Sequence, residues 1–177
     1  MIEPAQNHRH ELNRLYNKTF YDPKYMYYRG CWGTKEIFIP DNTFDSHNFA
    51  ILNNNREVVG YICYAINFAS KVASNFGIIS FKPSVCFGKD LIKIIDDIFI
   101  KYNMNKIEFR AFADNPVIKH YYSFVNKYNG RVVGTLIDSV MLEDGSLHDD
   151  TVFELFRENY LNVRIKEYEK RIKKTSI

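Results

Sequence analysis

The chain has 177 residues, enough for one domain with a sizeable core. Hydrophobic residues at 46% and charged residues at 25% are ordinary for a soluble globular protein, and aromatics at 16% are high. A net charge of +3 is too small to argue for nucleic acid, and no stretch approaches the ~18 apolar residues of a membrane span.

The N-terminus, MIEPAQNHRHEL, lacks an apolar core of signal-peptide length, so a cytoplasmic location is expected. Cys31, Cys63 and Cys86 are far apart, which excludes a CxxC motif and suggests reduced thiols. The histidines at 8, 10, 47, 120 and 148 show no ligand spacing; they read as surface or incidental, and no metal is expected.

Leu12, Leu15, Tyr16 and Phe20 recur at helical spacing and predict an amphipathic helix over 8–20. Residues 21–33 are aromatic and irregular, broken by Pro23 and two glycines. Residues 49–66 read as a hairpin around NNNRE, where Asn tolerates the positive φ of a turn. FGIISF (76–81) is an almost wholly apolar strand, as expected for one covered on both faces. Leu91, Ile94, Ile95, Ile98, Phe99 and Tyr102 mark a helix over 89–101, with Lys93, Asp96, Asp97 and Lys101 facing away.

KIEFRAF (106–112) alternates as a strand. A helix follows, with Asp114 or Asn115 at its cap, Pro116 in its first turn and Asn129-Gly130 at its end. Residues 131–142 and 151–156 are two more strands joined by EDGS, and 164–174 is a polar, partly basic helix. The central strand–helix–strand is a βαβ crossover, so 76–81 and 106–112 should be parallel. The fold class is therefore α/β or α+β: a mixed, mostly antiparallel sheet with one central parallel pair and helices on both faces. The expected organisation is a single domain over 1–177, with a core at 49–156, an aromatic and helical segment at 1–48 and a polar helix at 157–177.

Four stretches carry a resemblance. They are EVVGYICYAI at 57–66, GKDLIKIID at 88–96, DNPVIKHYYSF at 114–124 and NGRVVG at 129–134. In this order and spacing they resemble the GNAT superfamily of acyl-CoA-dependent N-acyltransferases. The resemblance implies acetyl-CoA as co-substrate and a small-molecule or peptide amine as acceptor. It implies Tyr122, seven residues after Asn115, as the general acid. The backbone of Cys86, Phe87, Gly88, Lys89 and Asp90 would hold the pyrophosphate. Ile79 and Phe81 would offer backbone groups to the pantetheine arm, and Asn115 would touch the cofactor.

The chain departs from the family pattern at Pro83 and Cys86, which stand where the phosphate loop usually has Gln or Arg and its first Gly. The strand NFGIISF carries no Glu, so the family's frequent base is missing there. The usual first strand is expected to be missing or displaced, because the sequence starts almost directly with a helix.

The chemistry explains the residue types. Aminolysis of a thioester puts negative charge on the carbonyl oxygen and then on the leaving sulfur. A tyrosine of ordinary pKa, about 10, is protonated at neutral pH and can protonate that thiolate. The attacking amine must be neutral, so a base or a desolvating pocket is needed. Glu108 and Asp138 are acids on predicted strands that could serve as the base. Tyr27, Tyr28 and Trp32 could line an acceptor pocket, or pack the first helix onto the sheet. The sequence thus reads as an N-acetyltransferase acting by direct attack in a ternary complex. The alternative is a GNAT-like binding or regulatory module with weak or lost acetyl-CoA binding. Neither a membrane nor nucleic acid is an expected partner; the acceptor's identity stays open, as does the oligomeric state, with a homodimer one option.

Overall fold

The computed structural model describes residues 1–31 and 34–175, so Trp32 lies outside the described residues. The strands are β1 (Ile2–Pro4), β2 (Ser46–Leu52), β3 (Val58–Asn67), β4 (Val72–Ser80), β5 (Lys106–Phe112), β6 (Arg131–Met141) and β7 (Leu147–Phe156). The α-helices are α1 (Arg9–Thr19), α2 (Val85–Asp96), α3 (Ile118–Lys127) and α4 (Arg157–Thr175). A π-helical stretch, Asp97–Lys101, prolongs α2, and Pro23–Cys31 forms a 3-10 segment. The strands form one seven-stranded sheet in the order β1-β2-β3-β4-β5-β7-β6. Every neighbouring pair is antiparallel except β4–β5. The mixed sheet with one central parallel pair is the expected architecture.

The first strand is present, contrary to expectation. Ile2–Pro4 pairs antiparallel with Phe49–Ile51. Three residues are too few to show an alternation, so the sequence hides it. The hairpin turn also differs in detail. Arg56, not an asparagine, takes the positive φ of 62°. Asn53 holds the turn instead, its Oδ1 accepting the Asn55 and Glu57 N–H groups.

The inner strands bury side chains on both faces, strand alternation deciding which goes where, while the edge strand β6 is largely exposed. Ile107 and Phe109 of β5 join Ile94, Ile95, Ile98 and Phe99 on one face, with Val125 and Tyr128 of α3 and Tyr160 of α4. Leu12, Leu15 and Tyr16 of α1 pack on the other face against Ala50, Leu52, Tyr61 and Ile79. Each fully buried Ile, Leu or Phe contributes about 1.5–3 kcal/mol relative to exposure.

Asp96 does not face solvent as expected. It accepts hydrogen bonds from Tyr160 Oη at 2.8 Å and Arg164 Nη2 at 2.7 Å and so docks α4. At the end of α3, Asn129 is left-handed at φ 50°, as anticipated. Gly130 is required for a second reason: a Cβ there would sit 2.4 Å from the Glu154 carbonyl oxygen.

Candidate active site

The only parallel pair among the described residues opens almost as soon as it forms. β4 and β5 pair at Val72↔Lys106 and Ala73↔Ile107 and then part. The cause lies in β4. Between Cys63↔Gly77 and Ala65↔Ser74 the register gains a residue on β4, and Asn75 sits there at φ 56°. Such a bulge bends its strand and ends pairing locally. A cleft of about 1070 Å³ follows, lined by both strands, by Phe87 and Leu91 of α2 and by the turn before α3.

The cleft runs through the sheet and joins two unlike faces. On the face of α2 and α3 it meets Phe109, Leu91, His120 and Tyr121. Tyr121 packs there, its ring 5.7 Å from Phe109 and 6.3 Å from Phe153. On the other face Tyr25, Tyr27 and Tyr28 of the 3-10 segment roof the cleft above Glu108, Arg110 and Phe112. Tyr28 Oη donates to the Ser80 carbonyl at 2.8 Å, and Tyr27 lies 5.8 Å from the Phe112 ring.

Asp150 also lines this second face. It pairs in register with Phe112 and is 9% exposed. Burial pushes its carboxyl above the usual carboxylate range, while the Arg110 charge pulls the other way. A desolvated carboxyl in a cleft is a candidate proton acceptor.

A third group braces the site. His148 of β7 is held between Asp114, at 2.7 Å from Nδ1, and Asp144, at 3.0 Å from Nε2. Tyr27 Oη also reaches Asp114, donating to its carbonyl oxygen at 3.2 Å. The hydrogen bond to Asp144 outweighs burial and, with Asp114, holds the imidazole pKa above its usual value. His148 is therefore neither a surface nor an incidental histidine, as the sequence suggested; it ties β7 to the turn that carries Asn115.

Several expected site residues stand elsewhere in detail. Tyr122 is 38% exposed, its ring packs edge-on against Phe153, and it does not line the cleft. The expected phase assumed a helix from Pro116, but α3 starts at Ile118. Asn115 instead makes a turn, its Oδ1 accepting the Val117 N–H at 3.1 Å, and it does line the cleft. The core-facing positions of α3 are then Ile118, Tyr121, Phe124 and Val125, followed by Tyr128 at its C-cap.

On β4 the shift is one residue. The Phe81 N–H is given to the Val59 carbonyl, so by antiparallel alternation Ile79 and Phe81 turn their backbones to β3. Ile78 and Ser80 turn theirs toward the gap.

At α2 the helix starts at Val85, earlier than expected. The N–H groups of Gly88, Lys89 and Asp90 are therefore inside the helix, and those at its N-terminus belong to Ser84, Val85 and Cys86. Phe87 gives its N–H back to the Ser84 carbonyl at 3.2 Å. No acidic residue occupies the first turn, and Ser84 makes no side-chain cap. This terminus fits an anionic pyrophosphate.

The side chain of Phe87 lines the cleft, seated on Gly60, where a Cβ would fall 2.3 Å from the ring. Gly88 has open space around its Cβ direction, and Lys89 is exposed. Asp90 is 2% exposed and ion-paired with Lys93 at 2.6 Å and with the Met1 ammonium, which makes it a structural anchor. Cys86 turns its Sγ to within 3.7 Å of Asn54 Oδ1, and its side chain is not in the cleft wall. Of the two proposed bases, Glu108 lines the cleft, whereas Asp138 sits at a positive φ of 50° in a β6 bulge, outside it.

Comparison with known proteins bears on the fold. No family model matches the chain, and no curated protein matches its sequence. Among solved structures it is similar to the spermidine/spermine N-acetyltransferase SpeG of Vibrio cholerae, crystallised with manganese ions. That match has 21% identity over 86% of this chain and 76% of the other, with a TM-score of 0.56. A dodecameric structure of spermidine N-acetyltransferase from the same organism matches with 20% identity, over 86% and 76% of the two chains, at a TM-score of 0.58. The chain has the fold of the GNAT N-acyltransferases. Among the described residues, no helix is long and apolar enough to cross a membrane.

Proposed function

We propose that the protein is an N-acyltransferase that moves an acetyl group from acetyl-CoA to a primary amine by direct attack in a ternary complex. The observation that carries this reading is the through-sheet cleft, which has a phenol on one face and a desolvated carboxyl on the other. The thioester enters from the α2–α3 face. Its pyrophosphate lies at the N–H groups of 84–86, and its pantetheine arm pairs with the backbone of Ile78 and Ser80. The acceptor enters beneath Tyr25, Tyr27 and Tyr28, where Glu108 and Asp150 favour a cationic amine.

Asp150 takes a proton from the incoming ammonium. The amine nitrogen then forms the new C–N bond as the C–S bond breaks, and the surplus amine proton leaves to solvent. Tyr121 protonates the departing thiolate. The role expected of Tyr122 passes to its neighbour because Tyr121 is the one in the cleft.

The test compares Tyr121→Phe with Tyr122→Phe, once an acceptor amine has been found by screening. Tyr121→Phe should slow turnover by ~10²–10⁴-fold and Tyr122→Phe should leave it unchanged. The reverse result would restore Tyr122 and refute this reading of the cleft.

A further inference from the structure

On the α2–α3 face the cleft continues into an apolar chamber of about 190 Å³. Phe76, Ile78, Leu91, Phe109, His120 and Tyr121 belong to the walls of both, so the chamber opens from the cleft beside the proposed acid. Its far end is closed by Ile95 of α2, Ile107 of β5, Phe124 of α3 and Leu155 of β7, none of which lines the cleft. Ile107 pairs with Ala73, where β4 and β5 still touch. The chamber thus lies at the closed end of the parting strands, beyond the point where a thioester carbonyl would meet Tyr121.

Almost all of the chamber's wall is carbon. The pantetheine arm carries two amides that would lose their hydrogen bonds there, so the arm is a poor occupant. Water finds almost no hydrogen-bond partner on such a wall, so an apolar group is the better occupant. An acetyl methyl group would leave most of the space empty. A cavity of about 150 Å³ accepts the six carbons of benzene, so this one suits an alkyl chain of about that carbon count.

We infer that the chamber is an acyl-chain pocket and that the preferred donor is a CoA thioester of a medium-length fatty acid, near hexanoyl. This rests on the proposed acyl transfer and replaces acetyl with a longer acyl group as the preferred cargo of the same CoA site. The acceptor side of the cleft is unaffected by it.

The test is calorimetric titration of the protein with acetyl-, butyryl-, hexanoyl- and dodecanoyl-CoA, which needs no acceptor. Affinity should rise about fourfold per buried methylene, on the order of 10²-fold from acetyl to hexanoyl, and gain nothing further at dodecanoyl. Ile95→Phe should fill the chamber, abolish the preference for hexanoyl and leave acetyl-CoA binding unchanged. Should that variant fail to fold, Phe124→Trp closes the chamber from α3, and the wild-type series stands by itself. Equal affinity for acetyl- and hexanoyl-CoA would overturn the acyl-chain pocket alone. So would a hexanoyl preference that survives both fillings. Failure of every CoA thioester to bind would overturn the proposed function along with it.

Discussion

The two faces of the cleft are built in different ways. On the α2–α3 side, regular helices lay Leu91, Ile95, Tyr121 and Phe124 onto β4 and β5; Leu91 and Tyr121 serve as core and as cleft wall, Ile95 and Phe124 as core and as the wall of the apolar chamber. On the other side a 3-10 segment with no apolar periodicity is held by side-chain contacts: Tyr28 on the Ser80 carbonyl, Tyr27 on Asp114, and His148 behind them. Packing is cooperative and hard to disturb locally, whereas a roof held by a few hydrogen bonds can be loosened one residue at a time. The donor face should therefore respond to substitution through affinity and stability. The acceptor face should respond through turnover and pH.

The sharpest contrast is expected at the acid and the base. Asp150→Asn removes the proposed proton acceptor while keeping the side chain's shape, and turnover should fall by ~10²–10⁴-fold with acetyl-CoA affinity unchanged. An equal loss of CoA binding would place Asp150 on the donor side and break the comparison.

A donor-face change of intermediate size is Gly60→Ala. Its Cβ would meet the Phe87 ring at 2.3 Å and the Ile79 carbonyl oxygen at 2.6 Å. Overpacking of this kind costs about 1–3 kcal/mol and would push Phe87 out of place, so both melting temperature and CoA affinity should drop. An unchanged melting temperature would mean that Phe87 is free to move aside.

The His148 brace gives a smaller effect with a definite pH sign. The histidine's folded pKa is raised, so its contribution is fully present below about 6.5 and lost as pH rises through the folded value. Asp144 is depressed to about 2, chiefly by the Ser146 hydroxyl and N–H and then by His148. Its contribution is present above about 3.9 and lost as pH falls through about 2. The melting temperature of His148→Gln should thus trail wild type most between these limits and converge with it at alkaline pH. A gap that widens with pH would contradict the ionic brace.

The smallest effect is expected at Cys86→Gly. The thiol faces Asn54 and not the cleft, so restoring glycine should leave CoA affinity alone and cost about 0.5–1 kcal/mol in helix propensity. A marked tightening of CoA binding would show that the side chain does crowd the phosphate.

The same contrast explains what could be read from the sequence. The βαβ crossover, the helix at 89–101 and the strand at 106–112 were legible because their apolar residues recur at helical or alternating spacing. The offset at α3 was not, because Pro116 is equally at home in a helical first turn and in the Asx turn that Asn115 makes. The helix starts two residues later than expected, and it is Tyr121, not Tyr122, that lines the cleft. Asp150 was missed because β7 was read from 151; His148, Asp150, Val152 and Glu154 in fact alternate along a strand that begins at Leu147. The β4 bulge at Asn75, which opens the cleft, has no sequence signal beyond an asparagine's tolerance of positive φ.

The central claim is that the gap between β4 and β5 holds a CoA thioester. Thermal unfolding with and without acetyl-CoA tests it most directly. At a hundred times the dissociation constant the ligand should add about 2.7 kcal/mol, which for a chain of this size raises the melting temperature by about 5–11 °C. The shift should shrink in Gly60→Ala and persist in Asp150→Asn. No shift at millimolar acetyl-CoA or hexanoyl-CoA would contradict the account.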